Sequence, residues 1–157
     1  MQTVSILVDV QNIYYTTRDQ YQRHFNYNAF WAHVLKDRRL IKANAYAIAR
    51  SDEKQKQFHN ILRGIGFDVK LKPFIQRQDG SAKGDWDVGI ALDAIELAEI
   101  SDVIVIASGD GDFDLLAQRI QQKYGKKVEV YGVPGLTANS LIESADEYIS
   151  IDGALLL

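Results

Sequence analysis

Val103-Ile104-Val105-Ile106-Ala107-Ser108-Gly109-Asp110-Gly111-Asp112-Phe113-Asp114 passes from five apolar residues directly into a turn that carries three aspartates. A continuous apolar run of this length, rich in β-branched residues, is predicted to be a strand buried on both faces, as in a parallel sheet covered by helices. Five further strands are expected at Val4–Asp9, Ile41–Ala49, Phe67–Leu71, Val128–Tyr131 and Tyr148–Ile151. Helix-like segments separate them, which predicts an α/β fold with a mainly parallel central sheet.

Helix starts are read at Asn28, at Ser51 followed by Asp52 and Glu53, and at Thr137, residues whose side chains accept from free N–H groups. Gly64 with Gly66, and Gly125, are read as helix stops. A helix over Asp85–Ile100 would set Val88, Ala91, Ile95 and Ala98 against the sheet. Between the third strand and this helix, Gln76–Gly84 reads as a mobile, substrate-facing loop.

The chain has 157 residues, 46% apolar and 25% charged, which predicts a single domain over 1–157. The absence of cysteine excludes disulfide frameworks, thiolate zinc sites and cysteine nucleophiles, and fits a cytoplasmic setting. No apolar run approaches the ~20 residues of a membrane span, so no membrane partner is expected. A net charge of −3 argues against gripping nucleic acid by bulk charge, but not against an acidic pit that holds cations.

In open parallel sheets, sites collect at the carboxyl ends of strands where strand order reverses. With the order 3-2-1-4-5, Asp9-Val10-Gln11-Asn12 and Ser108–Asp114 would become neighbours there. Alone, Asp9 reads equally as a polar strand end, and the second stretch as a capped turn. Together they bring carboxylates close enough to need protons or a metal, and hard oxygen ligands suit Mg²⁺ or Mn²⁺. Lys83-Gly84-Asp85-Trp86-Asp87 offers further acids at a helix start, where the dipole alone also favours them. Asp93 falls on a different helical face from Asp87.

Several competing readings fail on the residues. The sixth and twelfth positions of a calcium loop opened by Asp110 are Leu115 and Gln121, where Gly and Glu belong. A phosphatase using Asp9 as nucleophile would carry a second Asp two residues on, where Gln11 stands. Neither a Walker A motif, a dinucleotide fingerprint nor a nucleophile elbow occurs, and His24, His33 and His59 lack metal-ligand spacing.

Asp9-x-x-Asn12, Lys83-Gly84 followed by Asp87 and Asp93, Ser108-Gly109-Asp110-Gly111-Asp112-Phe113 and the segment Ser140–Asp146 together resemble the NYN domain, the LabA-like branch of the PIN-like nucleases. The resemblance implies a Rossmann-like three-layer α/β/α sandwich and a ribonuclease with Asp9, Asp87, Asp110 and Asp112 at the positions of the family acids. Asn12 would be the accompanying polar residue, and Asp85, Asp93 and Asp114 possible additional acids. The implied chemistry is hydrolysis of RNA phosphodiesters at one or two divalent ions. Two departures stand out. The Lys-Gly segment is one residue longer than usual, leaving open whether Asp85 or Asp87 enters the site, and Leu115 replaces a common Pro.

Substrate contacts are expected from Lys70, Lys72, Phe74, Arg77 and Lys83, and from Tyr14, Tyr15 and Arg18 after the first strand, by phosphate pairing and base stacking. The rival function is a noncatalytic RNA- or protein-binding regulatory module on the same fold. The apolar end Ala154–Leu157 should complete the core, or else supply a homodimer contact.

Overall fold

Every strand of the six-stranded main sheet runs parallel in a computed structural model of the chain. Residues 1–49, 52–73, 75–76, 82–83 and 85–157 are described, with the side chains of 75, 76, 82 and 83 excepted. The main-sheet strands are β1 Gln2–Asp9, β2 Arg38–Ala49, β3 Asp68–Pro73, β6 Val103–Ala107, β7 Lys127–Gly132 and β8 Glu147–Ser150. The helices are α1 Val10–Tyr21, α2 Tyr27–Leu35, α3 Glu53–Ile65, α4 Asp87–Ala98, α5 Asp114–Tyr124 and α6 Asn139–Ser144. Short 3-10 turns lie at Gly111–Phe113 and Gly153–Leu155.

The expected three-layer sandwich is therefore present: all six expected strands form in the order β3-β2-β1-β6-β7-β8, the first five in sequence as read and β8 added beyond β7. One sheet face packs Val4, Ile6, Val8, Val103 and Val105 under Ile13, Phe30 and Leu62 of α1–α3. The other packs Leu7, Ile104, Ile106 and Val130 under Ile90, Ala94, Leu116 and Ile120 of α4 and α5. β1 and β6 are thus enclosed on both faces, which is why their sequences read as near-continuous apolar runs, broken in β1 by Ser5, whose buried hydroxyl pairs with that of Ser101 at 2.7 Å. Leu155 and Leu156 join the first layer, so the apolar end serves the core. Pro73, which has no N–H to give a ladder, closes the edge strand β3.

The segment after Asp9 turns without a loop into α1, a mostly polar helix that buries only Val10, Ile13 and Thr17. Several local expectations about the other helices are corrected. Helix α2 begins earlier than Asn28: Asn26 caps it, accepting from the Ala29 N–H at 3.0 Å, because Tyr27 is drawn into an aromatic cluster with Phe25 and Phe67. Asp52 caps α3 through the Gln55 N–H at 2.8 Å, while Ser51 lies outside the described residues. Gly64 is helical, and Gly66 alone ends α3 at φ 135°, beyond the reach of most side chains. Thr137 does not cap α6; its hydroxyl donates to the Val133 carbonyl.

Helix α4 turns the stripe Ile90-Ala94-Ala98 to the sheet and leaves Val88 70% exposed. Within Gln76–Gly84, Gln76 and Ala82 pair in a two-stranded antiparallel element, β4 Ile75–Gln76 with β5 Ala82–Lys83. The rest of that loop, with Phe74, Arg77 and Gly84, lies outside the described residues.

Candidate metal centre

The sheet order reverses between β1 and β6, which pair through Val8 and Ala107, so the residues following each meet at one end of the sheet. Asp9 caps α1, its Oδ1 accepting from the Asn12 N–H at 3.4 Å, while its Oδ2 accepts from the Ser108 hydroxyl at 3.1 Å. Asp110 caps the 3-10 turn through the Asp112 N–H at 2.9 Å. Asp87 opens α4. One carboxylate oxygen from each of Asp9, Asp87 and Asp110 can be chosen so that all lie within 4.8 Å of one another.

Two polar contacts hold the halves of this cluster together. The Asn12 amide oxygen accepts from the Gly109 N–H at 2.8 Å, tying α1 to the turn after β6. Ser108, fully buried, accepts from the Asp110 N–H at 3.1 Å while donating to Asp9. Gly109 and Gly111 matter through space rather than left-handed φ. A Cβ on Gly109 would stand 2.5 Å from the Leu136 carbonyl oxygen, and one on Gly111 would stand 2.9 Å from the Ala138 Cβ.

Burial pushes the Asp9 carboxyl up to about 6, against the lowering effect of its two hydrogen bonds. Asp87 rises to about 7, through desolvation first and then the charges of Asp110, Asp85 and Asp9. Among the described residues no Lys or Arg pairs with any of the three acids. A hard, all-oxygen set short of a counter-charge is chemically suited to Mg²⁺ or Mn²⁺.

An open cleft of about 250 Å³ surrounds the cluster, lined by Asp9, Gln11, Asn12, Tyr15, Thr16, Asp85, Asp87 and Asp110. Asp87, rather than Asp85, supplies the clustered oxygen; Asp85 stands at the rim, its carboxylate accepting from the Asp87 N–H at 3.3 Å. Asp112 is not part of the cluster: the 3-10 turn carries its side chain to solvent. Asp114 accepts from the Leu115 N–H at the start of α5. Asp93 instead accepts from the Tyr46 hydroxyl at 2.7 Å and faces Lys70 at 3.9 Å.

Among the substrate candidates, Lys72 reaches the rim. Its ammonium donates to the Asp85 carbonyl at 3.1 Å and lies 4.5 Å from the Trp86 ring centre. Tyr14 is exposed beside Tyr15 rather than on the cleft wall, and Arg18 covers both rings. Arg77 and the Lys83 side chain fall outside the described residues. Sequence reasoning did not single out Gln11, Thr16 or Ser108 as site residues. Once α1 is known to start at Val10, the spacing Gln11, Asn12, Tyr15, Thr16 marks one helical face, which is the signal for the first two.

Residues 3–152 match the family model of the NYN domain. The chain belongs to the NYN domain family. NYN domains are typically nucleases and metal-dependent, so a nuclease-type hydrolase acting on RNA is the broad expectation for this one. This NYN domain is 26% identical to the low amplitude and bright protein LabA of Synechococcus elongatus, over 95% of this chain and 83% of LabA. It superposes with a TM-score of 0.95 on the crystal structure of a protein of unknown function, VPA0982, from Vibrio parahaemolyticus. The two are 59% identical, over 99% and 96% of the two chains. No described helix of the domain is long and apolar enough to cross a membrane.

Proposed function

We propose that this NYN domain is a divalent-metal-dependent ribonuclease that hydrolyses RNA phosphodiester bonds. The observation that carries the proposal is the convergence of Asp9, Asp87 and Asp110 within 4.8 Å with no described basic partner. Three carboxylates so placed repel one another, a costly arrangement for a site that only binds polyanionic RNA.

Asp9, Asp87 and Asp110 would hold Mg²⁺ or Mn²⁺, which when bound lowers the pKa of water and offsets charge on the phosphate oxygens. The chain's own residues set the geometry. Ser108 and the Asn12 N–H fix the two oxygens of Asp9, and Asn12 locks the Asp110 turn through Gly109. The N-termini of α1 and α4 direct partial positive charge at the cleft, favouring both ionised acids and an entering phosphate. Lys72 at the rim, with Lys70 one pleat away on the same face of β3, supplies local positive charge in a chain whose net charge is −3.

The test is cleavage of labelled single-stranded and hairpin RNA with Mg²⁺, Mn²⁺ or EDTA, beside Asp9→Asn and Asp110→Asn. Cleavage that needs metal and disappears in both variants is expected. RNA binding without cleavage under any metal would replace the hydrolase with a noncatalytic module.

A further inference from the structure

Helix α4 carries more apolar surface than the sheet covers. Ile90, Ala94 and Ala98 are buried, yet the outer side of the same helix leaves Val88 70% and Leu92 59% exposed, and Ile100, just past its end, 61% exposed. Val88, Leu92 and Ile95 follow one another at intervals of four and three residues, which places them on one stripe of the helix. Leu115, 61% exposed, opens the neighbouring helix α5. Single exposed aliphatic side chains are ordinary, but a stripe of them bordered by charge marks a surface that another molecule covers.

The border is of one sign. Residues 85–118 hold nine Asp and Glu and no Lys or Arg, in a chain that elsewhere has more Lys and Arg than acids. Glu96 and Glu99 stand exposed along α4 and at its end, and Asp112 in the 3-10 turn that α4 touches. Among the described residues none of these three pairs with a Lys or Arg. Lys70 and Lys72 approach α4 from β3, where Asp93 and Trp86 hold them, and the first cation after the acidic stretch is Arg119 on α5.

That charge selects the occupant. RNA is repelled by unpaired carboxylates. Two copies of this chain meeting through the stripe across a two-fold axis would set Glu96 and Glu99 among their own images, a juxtaposition of like charges. A basic segment with one apolar side suffers neither cost. We infer that the outer stripe of α4 is a docking surface for a Lys- and Arg-rich amphipathic helix of a protein partner. Its apolar side covers Val88, Leu92 and Leu115, and its cations pair with Glu96, Glu99 and Asp112. None of these residues lines the acidic cleft, although Asp87 opens the same helix, so the partner lies beside the cleft and leaves its mouth free.

The test is the fluorescence anisotropy of a labelled Leu/Lys peptide, with its leucines on one helical stripe, titrated with the whole protein at about 0.15 M salt. Leu92→Gln with Leu115→Gln should weaken binding about tenfold, and so should Glu96→Gln with Glu99→Gln, as expected for loss of anchoring contacts. A peptide with Ser in place of Leu and the same lysines should bind at least about tenfold more weakly. All four substituted side chains are exposed, so both double variants should melt with the wild type. Hydrogen exchange should show the bound peptide protecting residues 88–100. Equal binding by wild type and both double variants, equal binding of the Ser peptide, or protection at residues 9–16 instead would overturn the docking surface. A wild type that sediments as a dimer, and becomes monomeric with Leu92→Gln, would overturn it in favour of a second copy of the chain.

Discussion

Replacing Asp9 by Asn should make the metal-free protein more stable at neutral pH, although it removes a buried charged hydrogen-bond acceptor. The Asp9 carboxyl rises from 3.8 to about 6 on folding, chiefly through burial. A carboxyl with a raised folded pKa binds more protons folded than unfolded. Its favourable contribution is therefore complete below about pH 3.8 and lost as pH rises through 6. The gap corresponds to about 3 kcal/mol of strain in the ionised site at pH 7.5. Asn keeps a carbonyl oxygen to accept from the Asn12 N–H or the Ser108 hydroxyl, but as neutral bonds, forfeiting about 1 kcal/mol. Asp9→Asn should then gain about 2 kcal/mol in EDTA at pH 7.5, raising Tm by roughly 4–8 °C for a chain of this size. The gain should shrink below about 1 kcal/mol at pH 4.5, where native Asp9 is largely protonated in the wild type. Adding Mn²⁺ should reverse the order, because only the wild type keeps the full ligand set and is stabilised by mass action. Calorimetric melts at the two pH values, with EDTA and with Mn²⁺, decide it. An Asp9→Asn protein less stable than wild type in EDTA at pH 7.5, or a difference that ignores pH, would refute the reasoning.

Mn²⁺ affinity should fall as pH drops, about tenfold per unit below 7 and more steeply below 6, because the ion must displace protons held by Asp87 at about 7 and Asp9 at about 6. Titration calorimetry across pH 5–8 reads this directly, and a flat profile would mean that these acids are not ligands. Gly109→Ala should cost about 1–3 kcal/mol, since its Cβ would stand 2.5 Å from a backbone oxygen that cannot rotate away. Denaturant unfolding measures the cost, with Gly64→Ala, whose Cβ meets nothing within 4 Å, as the tolerant control. Asn12→Ala leaves the Gly109 N–H without its acceptor and should cost about 1–3 kcal/mol. It should also lower kcat more than it raises the KM for RNA, because it loosens the Asp110 turn rather than a substrate contact.

What the sequence disclosed follows from which signals are local. β1 and β6 announce themselves because strands buried on both faces are filled mostly by apolar residues, and Asp9 and Asp110 are the first carboxylates at the end of each. The choice between Asp85 and Asp87 was not legible. It depends on where the first turn of α4 begins, and that turn is set by packing: Trp86 rests on Tyr46 at 5.3 Å and donates to the Ala47 carbonyl at 2.8 Å. The same packing placed Ile90 rather than Val88 against the sheet. Asp112 has the spacing of a second ligand in the turn, but the 3-10 helix leaves it exposed, which spacing alone does not show. Ser108 was hidden for the opposite reason. A serine at a strand end is common, and only the meeting of two distant strand ends reveals that it joins Asp9 to Asp110.

That meeting has a consequence for the order in which the protein matures. The Ser108 bond to Asp9 spans 99 positions of sequence, and the Asn12 bond to Gly109 spans 97. A growing chain that has made β1, α1 and even α4 holds Asp9 and Asp87 but has no Asp110 and lacks the Ser108 hydroxyl that braces Asp9. The carboxylates can converge only after β6 has emerged and slid into its slot beside β1. Any capacity to hydrolyse RNA is therefore withheld through most of synthesis, and it is acquired in one step with the closing of the sheet's centre.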